Sequence, residues 1–285
     1  MSEALSEAVA AEAHTRAHKG GFIVGHYPGF GAATVGFFLF LYLPIAILVV
    51  YAFNDNRSAT IWTQFSVDWY IKAMHNEDIR RAAMNSLVVA VVASGVASVA
   101  ATLAALVMAR GGSFRGKSTA YGLILLPLMV PEIVTAVATL SFFSAVGLRL
   151  GLGNVIIAHT VFCVPFAFLP IRARLEGMDR TLEEAAYDLY ANQWQAFRRV
   201  TLPLLMPGIL SGTMLAFIIS IDDFIITLMV AGPGSTTLPV YIYGMVRMGV
   251  TPEVNAVSSV LLGISILFVT LSWAMGRRGQ GTRQA

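Results

Sequence analysis

Thr181–Pro207 reads TLEEAAYDLYANQWQAFRRVTLPLLMP, a long polar, helix-prone segment in a half-chain otherwise dominated by apolar runs. Thr181 followed by Glu184 has capping-box spacing. The hydroxyl can accept from the N–H three residues on, while Glu184 reaches back to the N–H of Thr181. Leu182, Ala185, Ala186 and Leu189 recur at helical spacing, which predicts one small, apolar helix face. The helix is expected to stop before Pro203, which has no N–H to donate and disfavours helical geometry at Leu202. A short amphipathic helix between membrane spans has the shape needed to dock into a groove on a soluble partner.

The chain around this segment is 56% hydrophobic and 12% charged, with a mean hydropathy of +0.71. Soluble domains carry about a quarter charged residues. The charges here cluster between apolar runs of about twenty residues, the pattern of an all-α polytopic membrane protein. Six spans are predicted: Ala32–Phe53, Asn85–Met108, Tyr121–Val146 (interrupted by Pro127 and Pro131), Val155–Ile171, Gly208–Val230 and Ala256–Met275. They form one domain over residues 32–276, with a polar loop at about 172–206 and tails at 1–31 and 277–285. The first tail has no cleavable-signal pattern, and its His14, His18 and His26 are too irregularly spaced for a metal site. Trp62, Trp69 and Tyr70 are placed as interfacial aromatics. Ala93, Ala97, Ala101 and Ala105 form a small-residue stripe, and Gly208 with Gly212 a GxxxG pair; both predict close helix packing. Cys163, the single cysteine, excludes an internal disulfide and reads as a small buried hydrophobe.

The net charge of +3 says less than where the charges sit. With both termini cytoplasmic, thirteen of the nineteen Lys and Arg residues fall on the inner side, among them Arg110, Arg115, Lys117, Arg172, Arg174, Arg180, Arg198 and Arg199. That bias puts the 172–206 loop in the cytoplasm.

Glu184-Ala185-Ala186, with Val200, Leu202 and Pro203 downstream, resembles the EAA loop of permease subunits from ABC importers. Ser211–Ala256, SGTMLAFIISIDDFIITLMVAGPGSTTLPVYIYGMVRMGVTPEVNA, looks specifically like the polyamine (spermidine/putrescine) branch. The similarity covers most of the chain after about Ala32. It implies ATPase-coupling roles for Glu184, Ala185, Ala186, Tyr190, Leu202 and Pro203. It also implies a second homologous permease, two cytoplasmic ATPase subunits that use ATP and Mg²⁺, and a periplasmic substrate-binding protein. The chain itself is then a bacterial inner-membrane subunit, not an enzyme, with no cofactor of its own and no nucleic-acid partner. The family pattern has Gly where this chain has Tyr190. Tyrosine is strained at positive φ, so Asn192, which tolerates the left-handed region better, is expected to take over the turn.

Gly111–Ser118, GGSFRGKS, matches the P-loop expression, but that loop must join a buried strand to a helix. Here it lies between two membrane helices, so Arg115 and Lys117 read as topology determinants.

Three carboxylates fall inside predicted spans: Glu132 near the middle of the third, and Asp222 and Asp223 in the fifth. Each costs about 2.5–3.5 kcal/mol on insertion scales, so a compensating role is expected. Either Glu132 caps a half-helix after Pro131 and one Asp bonds a neighbouring helix, or the carboxylates line a path for a cation. Asp222 and Asp223 diverge by about 100° in a regular helix and cannot share one path. His159 reads as a hydrogen-bonded packing residue rather than a relay. Gly232-Pro233-Gly234 forces a turn, and Tyr241, Tyr243 and Arg247 beyond it suit an outer gate or interfacial anchoring. Tyr241 joins Glu132, Asp222 and Asp223 as a candidate for the substrate path. Rival readings are an importer of another amine, amino acid or organophosphonate, and a proton-coupled secondary transporter, against which no inverted repeat of interrupted helices is found. A membrane-embedded enzyme lacks any HExxH, nucleophile elbow or paired His ligands.

Overall fold

A computed structural model describes residues 29–56, 61–249 and 251–278, and the side chains of 272–278 are outside that description. The predicted tails, including their histidines and several topology-setting arginines, therefore lie almost wholly outside the described residues. Among those residues there is no strand, only an isolated bridge between Asn54 and Phe65. The chain divides into two units, Met1–Leu48 and Val49–Ala285.

The first unit contains most of α1 (Phe30–Tyr51), an apolar helix of 22 residues that carries Pro44 without stopping. In the second unit α2 (Asp68–His75) is short, and α3 (Glu77–Arg110) is the longest helix. Asn76 starts α3, its side chain accepting from the N–H groups of Asp78 and Ile79. The helices α4 (Lys117–Met129) and α5 (Glu132–Val146) follow, then α6 (Leu152–Glu176). The polar loop holds α7 (Thr181–Asp188) and the single turn α8 (Gln193–Ala196). A π-helical turn, Phe197–Thr201, joins α8 to α9 (Leu202–Asp222). The described chain ends with α10 (Ile225–Val230), α11 (Leu238–Met248) and α12 (Pro252–Arg278). Among the described residues five helical runs are long and apolar enough to cross a membrane, or six if the bent pair α4–α5 counts as one span.

The core is built by α3, α6 and α9, and small residues explain how closely they approach. Ala93, Ala97, Ala101 and Ala105 are fully buried, the last three packing with Cys163, Ala167, Phe168 and Ile171 of α6. On the other side of α6, a Cβ added at Gly212 would stand 2.6 Å from the Ala167 carbonyl oxygen. One added at Gly208 would stand 2.6 Å from Arg174 Cβ, so both glycines are required by contact. A second cluster joins Val89 (α3), Ala136 and Phe143 (α5), Val155 and Phe162 (α6), and Ile226 and Val230 (α10).

Two expectations are corrected, the continuity of the fifth span and the length of the fourth. The third span is interrupted as expected: α4 and α5 meet at 110°. Val130 and Pro131 are extended there (ψ 134° and 133°), because proline has no N–H and keeps its predecessor out of helical geometry. Glu132 is consequently the first residue of α5 rather than a mid-helix group. The fifth span is also broken: Asp223 is extended (φ −63°, ψ 131°) between α9 and α10. Trp69 is 8% exposed, packed with Ala52 and Ala256, and Lys72 Nζ sits 4.2 Å above its ring. Trp62 is exposed. The fourth span is longer than predicted, because the Arg172–Glu176 ion pair (2.7 Å) carries α6 past Ile171.

Candidate functional site

The two breaks meet beside α6. Asp223 turns out of the helix, and its carboxylate accepts from the N–H of Ile226 (3.4 Å), the N–H of Thr227 (3.0 Å) and the hydroxyl of Thr227 (3.0 Å). It therefore caps α10 while α9 ends. His159 of α6, 1% exposed, places Nε2 at 3.1 Å from Asp223 Oδ2 and 2.8 Å from Thr227 Oγ1. The Thr227 proton is committed to Asp223, so Nε2 carries the proton that points at these oxygens. Nδ1 then faces Ser220 Oγ at 2.8 Å, which completes a buried network with no spare valence on the ring. The Glu132 carboxyl at the start of α5 stands beside that of Asp223. This Glu132 carboxyl lies in the first turn of α5 and is hydrogen-bonded to that of Asp223.

The structure thus brings Glu132, Asp223 and His159 together and leaves Asp222 apart. Asp222 is exposed, and among the described residues its carboxylate accepts from Ser265 of α12 alone (3.0 and 3.3 Å). Tyr241 is also separate, half-buried against the cluster of Ala73, Ile79, Ala82, Leu238 and Val257. The turn expected at Gly232–Gly234 is present, with Gly234 at φ 79° and its carbonyl held by Asn85 Nδ2 at 3.0 Å. Tyr243 packs on Phe224 (4.7 Å between centroids), and Arg247 Cζ lies over the Tyr243 ring, 5.5 Å from its centroid. No group of three or more His, Cys, Asp or Glu suited to a metal occurs among the described residues.

The polar loop departs from its predicted details. Thr181 and Glu184 form no capping box. Asp179 takes that role, accepting from the N–H of Thr181 (3.0 Å), and this hydrogen bond holds its carboxyl below the usual carboxylate range. Tyr190 itself adopts the left-handed conformation, φ 62°, as the one non-glycine at positive φ among the described residues. The N–H of Ala191 bonds the Ala186 carbonyl (3.0 Å) and that of Tyr190 the Tyr187 carbonyl (2.9 Å), a Schellman ending with tyrosine in the glycine position. Asn192 does not make the turn. It is extended (ψ 168°) and caps α8 in a reciprocal capping box with Gln195. The helix also fails to stop before Pro203: Leu202 is helical (φ −62°, ψ −47°), and Pro203 sits in the first turn of α9. The π turn makes this possible, since the Leu202 N–H bonds Phe197 five residues back and the hydrogen-bond register shifts just ahead of the missing donor.

Leu182, Ala185, Leu189 and Tyr190 are exposed, Glu184 with them, while Ala186 and Leu202 are half-buried. Sequence reasoning missed Glu183. Its carboxylate accepts from Thr201 Oγ1 (2.9 Å) and lies 3.3 Å from Arg110 Nε, close enough for an ion pair though not aligned as a hydrogen bond. Arg180 Nη2 also donates to the Ala109 carbonyl (2.9 Å), so the loop is tied to the end of α3. Nothing in the linear spacing of 110, 183 and 201 signals this. In the P-loop-like stretch, Lys117 Nζ donates to the Gly112 carbonyl (2.8 Å) between two helices.

Comparison with known proteins gives the family. Residues 101–277 match the family described as binding-protein-dependent transport system inner membrane component. The putrescine transport system permease protein PotI of Escherichia coli K12 is 37% identical over 252 residues, 86% of this chain and 90% of that protein. The spermidine/putrescine transport system permease protein PotC of the same organism is 37% identical over 247 residues, 87% and 93% of the two chains. A putative 2-aminoethylphosphonate transport system permease protein, PhnV of Salmonella typhimurium LT2, is 29% identical over 239 residues, 83% of this chain and 89% of that one. Among solved structures, a bacterial alginate ABC transporter in complex with a pentasaccharide-bound periplasmic protein superposes with a TM-score of 0.65 at 18% identity, covering 87% of this chain and 92% of that one. The MetNI methionine ABC transporter superposes with a TM-score of 0.60 at 21% identity, covering 70% and 95%. With the broken-span helical fold, the family match and the two permeases at 37% identity, the chain belongs to the binding-protein-dependent inner membrane components, the permease subunits of ABC importers, and is a transport subunit rather than an enzyme.

Proposed function

We propose that this permease carries polyamines of the putrescine and spermidine type into the cell. The observation that supports this substrate class is 37% identity, along about 87% of the chain, to both PotI and PotC. Identity to the organophosphonate-type relative is 29%, which makes that class the second reading. Three acidic side chains near the helix breaks suit a cationic cargo, because intramembrane charge is retained where it does work.

In this reading both termini and the 172–206 loop face the cytoplasm, as the distribution of Lys and Arg favours. The chain pairs with a second homologous permease, and two ATPase subunits supply the ATP and Mg²⁺ chemistry. A periplasmic binding protein delivers substrate from the other side. The loop is the ATPase-coupling element. Leu182, Leu189, Tyr190 and Trp194 are exposed apolar side chains on a polar segment, which suits a surface that a partner covers. Glu184, Ala185, Ala186, Tyr190, Leu202 and Pro203 lie along it, and Glu132, Asp222, Asp223 and Tyr241 are the candidates for the path.

The test is uptake of radiolabelled putrescine and spermidine by cells that lack other polyamine uptake and express this chain with its partner subunits. Uptake is expected to survive a protonophore and to stop on ATP depletion. Uptake abolished by the protonophore while ATP is held constant would point to a proton-coupled transporter. Transport of 2-aminoethylphosphonate in place of polyamines would favour the second reading.

A further inference from the structure

We infer that Asp222 is the carboxylate presented to the cationic substrate, and that His159 and Asp223 are the positioning pair that holds it there. This rests on the polyamine reading above and divides labour among carboxylates that sequence alone treats as equivalent.

Asp223 has no capacity left for a ligand. It is 6% exposed, and its two oxygens already face two backbone N–H groups, the Thr227 hydroxyl and His159 Nε2. A carboxylate offers about four lone-pair positions, and those are occupied. Glu132 stands beside Asp223 with its carboxyl hydrogen-bonded to that of Asp223, so it too is already engaged. Asp222 differs on both counts: it is exposed, and among the described residues a single hydroxyl, Ser265 Oγ at 3.0 Å, is its partner. A carboxylate open on one side cannot face hydrocarbon without a cost of about 2.5–3.5 kcal/mol. Its open side therefore meets either water in the path or a positive charge.

The position of Asp222 depends on its neighbour. An intact helix would run through residue 223. Here Asp223 leaves α9 to cap α10, and the post that fixes this bend is His159 on the unbroken helix α6. Without the ring, Asp223 loses its anchor on the continuous helix α6 and keeps only the donors of its own segment and Glu132 on α5, which itself follows a break. With that post gone, the bend and Asp222 with it would move.

The experiment uses the whole importer in proteoliposomes with saturating, polyamine-loaded binding protein. It records uptake, binding-protein-stimulated ATP hydrolysis and co-purification of the subunits. Asp222→Asn is expected to lower uptake about tenfold or more, the worth of one charge-assisted contact, with hydrolysis and co-purification retained. Asp222→Glu keeps most of the uptake. His159→Leu lowers uptake comparably, and His159→Gln, whose amide can still donate to Asp223, restores it. If His159 acts through Asp222, the double variant His159→Leu/Asp222→Asn falls within about twofold of Asp222→Asn alone. Additive losses would make His159 a packing residue and overturn the pairing. Wild-type uptake by Asp222→Asn, or subunits lost in step with uptake, would overturn the role of Asp222 while leaving the polyamine reading standing. A wild-type complex that moves no polyamine would overturn that reading and this inference with it.

Discussion

Tyr190 holds a backbone conformation that side chains other than glycine adopt at a cost of about 1–2 kcal/mol, and at 98% exposure its ring meets little that would offset it. Tyr190→Gly is therefore expected to stabilise the detergent-solubilised subunit by about 1 kcal/mol. A lowered thermal midpoint would show that the ring makes a compensating contact. The sequence pointed to the right place for this turn and to the wrong residue. Asn192 tolerates positive φ better, but its side-chain oxygen is engaged by the N–H of Gln195, and that cap decides its geometry. Gly212 shows the opposite case. Its spacing from Gly208 is visible in the sequence, whereas the object it makes room for, the Ala167 carbonyl 45 residues earlier, is not. Gly212→Ala is expected to push α9 off α6 and lower stability by about 1–3 kcal/mol, read as a lower unfolding midpoint; an unchanged midpoint would mean that the two helices slide apart freely.

Between elements, what can be read from sequence depends on whether a break is local or tertiary. The bend between α4 and α5 is written in Pro131, while Pro127 sits inside α4 without ending it. The break at Asp223 is not, since no proline or glycine lies between Ile219 and Val230; it comes from a histidine more than sixty residues earlier. The same holds for Glu183, whose partners lie on α3 and in the π turn. Both side chains of its ion pair with Arg110 are mostly buried (16% and 19% exposed). Glu183→Ala is expected to cost about 3 kcal/mol by stranding a buried arginine, while Arg110→Met/Glu183→Met recovers most of that stability. Equal destabilisation in both variants would show that the pair's charges, rather than their mutual satisfaction, hold the loop. Glu184, by contrast, is exposed in the first turn of α7. Glu184→Lys places a cation at the positive end of that helix and is expected to weaken co-purification with the ATPase while the isolated subunit unfolds at its usual temperature. Retained co-purification would remove Glu184 from the docking surface.

For the whole chain, composition and run length were enough for an all-α membrane protein with about six spans, because lipid leaves the backbone few alternatives. Orientation rests on charge bias, and it is open to direct measurement. Cysteines introduced at Ser113 and Gln193 are expected to react with a membrane-impermeant thiol reagent only from the cytoplasmic side, and one at Asn56 only from outside. The native Cys163 is buried and stays silent. Reaction at position 193 from outside would invert the assignment. The π turn ahead of Pro203 has a mechanical consequence at this scale. Because it carries the helix past the proline, Gln193–Asp222 is a helical run of 30 residues, about 45 Å long at 1.5 Å per residue. One end lies in the polar loop and the other ends on the carboxylate beside the break. A rod of that length is a lever: a tilt of about 5° imposed at the loop end sweeps the far end through about 4 Å, comparable to the width of an amine group.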